Sequence, residues 1–225
     1  PVMIKNPIHP DLQLWIGALE RINKAGIKKL LGVHRGFHSF NPTKFRNLPQ
    51  WEIPIELKTL CPELPVICDP SHICGRTDLI REVSQKALDL DFSGLMIESH
   101  INPKVALSDA KQQITPEQLG DLLSSLVIRE SNSQDVEFSN QLLQLRSVID
   151  EIDEELMQSL GKRMNVAEKI GAYKLKNHVT ILQTKRWEEL ISKHLAQSNP
   201  LGLSEEFVKD LFKLIHNESI RKQAE

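Results

Sequence analysis

A chain of 225 residues with a net charge of −2 and 40% apolar residues is long enough for one or two packed domains. Near-neutrality argues against a nucleic-acid partner drawn in by bulk charge. No apolar run approaches the ~20 residues of a membrane span, and no signal-peptide pattern opens the chain, so no membrane partner is expected.

Residues 1–128 read as strand and helix in alternation. Four apolar segments, VMIKN (2–6), LLGVH (30–34), PVICD (65–69) and GLMIE (94–98), recur roughly every thirty residues, the rhythm of βα units on a parallel sheet. Amphipathic stretches at 12–25 and 78–90 fill the intervals, with Gly26 as a helix stop. The stretch 48–60, broken by Pro49 and Pro54, reads as a connection. The unusual polar residues fall at the carboxyl ends of the strands: Lys5, then Arg35 and Gly36, then Asp69, Ser71 and His72, then Glu98 and His100, with Asp109 in the next loop. In barrels of parallel strands that end carries the active site. His72, Glu98 and Asp109 together would suit a divalent metal of the manganese, iron, cobalt or zinc kind. They are not on one local motif, and spacing alone equally admits polar loop residues satisfied by their neighbours.

Three scattered cysteines, Cys61, Cys68 and Cys74, show no paired spacing and suit a reducing cytoplasm. Only Cys74, just past His72, is placed to join a metal site; a buried thiol is the plainer reading. Residues 129–138, RESNSQDVEF, are polar and aperiodic and read as the linker.

From 139 to 225 the pattern is helical. Leu142, Leu145, Ile149, Ile152, Leu156, Leu160, Ala167 and Ile170 follow the three/four spacing of a buried stripe on a helix over 140–176. Arg163 and Lys174 lie about 20° apart around that helix and about 16 Å apart along it, so two long side chains can converge on one small anion. Arg146 lies about 25 Å before Arg163 and about 100° round, too far to enter the same pocket, and a symmetry mate's pocket is the simplest destination. Arg186 lies on a second helix; Ser219 and Gln223, one turn apart, share a face of a third. Pro200 and Gly202 break the chain before Ser204, a helix cap followed by two acids. Spacing leaves open whether these cations grip a polyanion or are merely solvated.

The segments VMIKNP, VHRGFHSF, ICDPSHICGRTDL, GLMIESH and ALSDAKQQI resemble the second half of the 3-deoxy-arabino-heptulosonate 7-phosphate (DAHP) synthases, in the subgroup related to the ketodeoxyoctonate phosphate synthases. The resemblance implies a (β/α)8 barrel fold, α/β in class, of which about four βα units are present. It places His72, Glu98 and Asp109 on three of the family's four metal ligands, and Lys5 and Arg35 on phosphoenolpyruvate contacts, with erythrose 4-phosphate as second substrate. His38 stands where the family often has arginine. The family's metal-binding cysteine and its Lys-Pro-Arg-Thr-Ser phosphate loop have no counterpart, and a half barrel leaves two sheet edges open. The expectation is a fragment of a longer protein.

The segments LLQLR, GKR, GAYK, TKR and NESIRKQ resemble the all-helical chorismate mutases, three-helix chains that intertwine as dimers. The resemblance assigns Arg146, Arg163, Lys174, Arg186, Ser219 and Gln223 to the site, with Arg146 entering the partner's pocket of a homodimer. Such a site rearranges chorismate to prephenate with no cofactor. Gln183 stands where an aspartate is common and is the candidate for the substrate hydroxyl; Trp187 replaces an acidic residue and would fill the helix interface or touch ligand. The combined expectation is a bifunctional enzyme of aromatic amino acid synthesis, open to feedback. The competing expectation is a helical unit that is only a low-activity sensor of chorismate or prephenate and a dimeriser of the synthase.

Overall fold

The computed structural model describes residues 1–40, 42–130 and 135–224, in two compact units, 1–132 and 133–225. The first unit has four parallel strands in the order β1 (Val2–Lys5), β2 (Leu30–His34), β3 (Val66–Cys68) and β4 (Gly94–Leu95). Their registers pair Val2 with Leu30, Gly32 with Val66 and Ile67 with Gly94. Helices α1 (Leu12–Lys24), α2 (Glu52–Leu60), α3 (Pro70–Cys74), α4 (Ile80–Asp89) and α5 (Pro116–Ser125) complete it. The core is a continuous cluster that includes Trp15, Leu57, Val66, Cys68, Ile73, Ile80, Val83 and Phe92. Trp15 is fully buried yet satisfied, since its indole N–H donates to the Ile4 carbonyl at 3.1 Å.

Two expectations for this unit change. The 48–60 connection holds a true helix, α2, because Pro54 is its third residue, where the missing N–H has no intrahelical partner to lose. The fourth strand pairs over only two residues. After Met96 N bonds the Cys68 carbonyl at 2.7 Å, the chain leaves the ladder: Glu98 N donates to the Ser71 hydroxyl at 3.0 Å, and Glu98 O accepts from Ile114 N at 3.2 Å. Those bonds hold Glu98 at the strand's mouth.

The second unit consists of α6 (Val136–Lys176), α7 (Thr184–Ser198) and α8 (Glu205–Ala224), with α8 packed on both others. Helix α6 starts four residues earlier than the periodicity indicates. The Asp135 carboxylate accepts from the N–H groups of Glu137 and Phe138 at 2.9 and 3.1 Å, so Asp135 is the cap. Residues 136–138 therefore belong to the helix rather than to the linker expected at 129–138, of which 131–134 lie outside the described residues. Ser204 caps α8 as its position implies, accepting from Phe207 N at 3.2 Å.

The stripe expected to be buried on α6 is covered only in part. Ala167 and Gly171 are buried, whereas Leu145, Ile149, Ile152 and Leu156 are each more than half exposed. At Gly171 a Cβ would lie 2.6 Å from the Cα and carbonyl oxygen of Gln223. Only glycine lets α6 and α8 approach so closely there.

Candidate functional site

At the carboxyl ends of β3 and β4, one donor atom from each of His72, Glu98 and Asp109 falls within a cluster whose atoms are all within 4.8 Å of one another. His72 is set by the DPSH turn: Asp69, the α3 cap, accepts from His72 N at 3.1 Å, and its other oxygen lies 2.9 Å from His72 Nδ1. This buried carboxylate lies beside the ring, whose Nδ1 makes no aligned hydrogen bond, and Nε2 faces Glu98 Oε1, 3.7 Å away. Asp109 holds the left-handed backbone conformation, φ 50°, which short polar side chains tolerate best. The Arg46 guanidinium, 2.7 Å from its Oδ1, keeps the Asp109 carboxyl below its ordinary range. Two carboxylates and an imidazole are a donor set for a divalent transition metal.

Lys5 at the end of β1 reaches Asp69 Oδ2 at 3.3 Å. Arg35, just past β2, has its backbone N–H fixed by Asn6 Oδ1 at 2.7 Å, while its Nε is buried without a partner. A buried donor with nothing to bond is costly unless a ligand supplies the acceptor. Cys74 stays outside the cluster. It is 2% exposed, and burial, reinforced by Glu82 and Asp78, pushes its thiol up to about 12, which keeps it protonated. His100 is spent locally, its Nδ1 accepting from Asn102 N at 2.9 Å.

The helical unit encloses a cavity of about 410 Å³ lined by Arg163, Lys174, Gln183, Arg186, Ser219 and Gln223. The six residues expected to share one pocket thus meet, and Arg146, expected to reach a second copy's pocket, does not line it. Ser219 donates to the Ile215 carbonyl at 2.7 Å and accepts from Arg163, so the hydroxyl aims the guanidinium. Lys174 donates to Ile181 O at 2.6 Å and to Gln223 Oε1 at 3.0 Å. That leaves one ammonium proton and the Gln223 amide N–H groups for a ligand. Among the described lining residues there is no carboxylate. The cavity is cationic, with a floor of Val166, Ala167, Ile170 and Leu190.

The sequence left Trp187 between the helix interface and the ligand, and sequence reasoning missed three contributors, His216, Arg46 and Gln112. Trp187 lines the cavity, stacked on His216 with centroids 4.3 Å apart and planes at 25°. Burial, then the charge of Arg163, lowers the His216 pKa. The signal for His216 was its place one turn before Ser219 on the same helix face. Arg46, from another loop, and Gln112 brace the His72, Glu98 and Asp109 cluster, and no local spacing points to them.

A family model described as DAHP synthetase I family matches residues 1–134, well over half the chain. The chain belongs to the DAHP synthetase I family. A second model, chorismate mutase type II, matches residues 145–224, so the two regions are fused in one polypeptide. A phospho-2-dehydro-3-deoxyheptonate aldolase of Thermotoga maritima is 30% identical over 126 residues, 56% of this chain and 37% of that protein. A bifunctional chorismate mutase/prephenate dehydratase of Buchnera aphidicola is 31% identical over 85 residues, 38% of this chain and 22% of that protein. The chain thus spans well under half the length of either relative. Among solved structures, a truncated DAHP synthase from Thermotoga maritima superposes with a TM-score of 0.51 at 29% identity. It covers 55% of this chain and 47% of its own. The synthase-family match covers the strand unit, and the mutase-family match covers the helical unit from within α6 to the end of α8.

Proposed function

We propose that the helical unit is a chorismate mutase and that the strand unit contributes phosphoenolpyruvate and metal residues to a DAHP synthase. The observation that carries the first reading is the convergence of Arg163, Lys174, Arg186, Ser219 and Gln223 on one cavity with no carboxylate among its described lining residues, Arg186 pairing with Glu189 outside it at 3.1 Å. Chorismate is a flexible dianion. Guanidinium groups grip carboxylates through paired hydrogen bonds, and holding the compact reactive conformer removes much of the entropic barrier. As the ether C–O bond breaks, charge grows on its oxygen. The free proton of Lys174 and the amide of Gln223 are the donors that stabilise that charge more than the substrate's. No nucleophile or proton transfer is required.

The exposed stripe of α6 and the absence of Arg146 from its own chain's cavity support a homodimer. In it the stripe packs on a second copy and Arg146 completes the partner's site. Gln183, at the mouth of α7 and lining the cavity, meets the substrate hydroxyl.

In the strand unit, Lys5 and Arg35, whose buried Nε lacks a partner, bind the phosphate and carboxylate of phosphoenolpyruvate, and erythrose 4-phosphate is the second substrate. His72, Glu98 and Asp109 would hold a divalent metal, which when bound polarises the sugar carbonyl. Asp69 holds the His72 backbone and keeps Lys5 placed.

The test of the mutase follows loss of chorismate absorbance with this chain, with Lys174→Ala and with Gln223→Ala. Turnover that falls at least ~100-fold in either variant, with affinity falling far less, is the expected outcome. Undetectable turnover in the folded wild-type chain, with prephenate bound, would replace the enzyme by a sensor.

A further inference from the structure

Gln112 is 1% exposed, and both ends of its amide are used. Its Oε1 accepts from Arg46 Nη1 at 2.7 Å, and its Nε2 donates to Glu98 Oε2 at 2.8 Å. The same Arg46 nitrogen donates to Asp109 Oδ1 at 2.7 Å. A continuous chain therefore runs from Asp109 through Arg46 and Gln112 to Glu98, joining two of the three cluster residues by a route outside the cluster. Because Arg46 only donates, it fixes which end of the amide faces it. The NH2 is thereby forced onto Glu98 Oε2, and the other oxygen, Oε1, is the one turned to His72.

Arg46 is itself held by backbone. Its N–H bonds the Cys74 carbonyl at 3.3 Å, and the left-handed Gly75, φ 65°, leaves room for its stem, where a Cβ would lie 2.5 Å from Arg46 Cβ. The turn that follows His72 thus also seats the arginine that orients Gln112. The brace and the ligands are built from one local fold.

We propose that Gln112 is the positioning residue of the metal site: it presents Glu98 Oε1 to the ion, oriented by Arg46. The inference rests on the reading of His72, Glu98 and Asp109 as a metal site. Groups that hold a ligating carboxylate in place contribute about 10–100-fold to metal affinity. Gln112→Met keeps the length and loses both hydrogen bonds, so Glu98 is free to rotate.

The experiment titrates the chain with Mn2+ and follows free ion by electron paramagnetic resonance, with Co2+ absorption as a report on the ligand set. Wild type should bind one equivalent. Gln112→Met should bind 10–100-fold more weakly and should shift and weaken the Co2+ bands, while circular dichroism and the melting temperature without metal stay close to wild type. Should the methionine variant fail to fold, Gln112→Asn keeps the amide but is one methylene too short, and the same loss is expected. Equal Mn2+ affinity and unchanged Co2+ bands in a folded variant would overturn the role of Gln112. A wild-type chain that takes up no Mn2+ or Co2+ would instead overturn the metal reading itself.

Discussion

His34 is fully buried among Phe37, Trp51 and Phe92, with centroids 5.2 to 6.0 Å away, and neither ring nitrogen has a hydrogen-bond partner. Burial lowers its pKa from 6.5 to about 3; the Pro49 carbonyl pulls the other way without making a hydrogen bond. Above pH 6.5 the ring is neutral both folded and unfolded, and nothing is lost. Below it the unfolded chain takes up a proton that the fold refuses, so stability falls steadily until the pH nears 3. At 1.36 kcal/mol per unit, the strand unit should lose about 2 kcal/mol between pH 7.5 and 5.0 from this residue. Hydrogen exchange of the β2 amides measures it, and His34→Phe should flatten the slope. Nothing in the local sequence announces this: LLGVH reads as a buried strand, but the aromatic box comes from residues up to fifty-eight positions away.

Helices α6, α7 and α8 all line the cationic cavity, and Gly171 sets the spacing of α6 and α8. Gly171→Ala would drive a methyl group into the Gln223 backbone, and such overpacking costs about 1–3 kcal/mol. The expected result is a lower melting temperature together with turnover reduced well beyond what stability explains, because Gln223 is bonded to Lys174. Turnover unchanged in a destabilised Gly171→Ala protein would uncouple the helix contact from the site. The helix periods, the caps at Ser204 and the α6 end were legible because they depend on residues within a turn of one another. The start of α6 was not, because Asp135 was read as the polarity of a linker instead of as a cap. Strand β4 was overextended for a related reason: GLMIE has the composition of a strand, yet Glu98 gives its backbone bonds to Ser71 and Ile114.

For the whole molecule, motif resemblance brought together His72, Glu98 and Asp109 in one place, and five of the six residues matched to the mutases in another, although each set spans three or more elements. Arg46 and Gln112 escaped because side-chain bonds across 14 to 66 positions leave no period in a sequence. The apolar stripe of α6 was legible as a surface that must be covered, while what covers it was not.

That Arg146 rides on the same 41-residue helix as Arg163 and Lys174 but outside their cavity has a genetic consequence. If the dimer is as proposed, Arg146→Ala and Lys174→Ala chains are each inactive, yet they are defective in different halves of a shared site. Unfolded together and refolded as a mixture, half the dimers would be hybrids, each with one site intact and one doubly damaged. Activity should return to about a quarter of wild type, as the statistics of a two-fold assembly require. Two dead alleles would complement one another within a single gene product, and a mixture that stays inactive would overturn the entry of Arg146 into the partner's site.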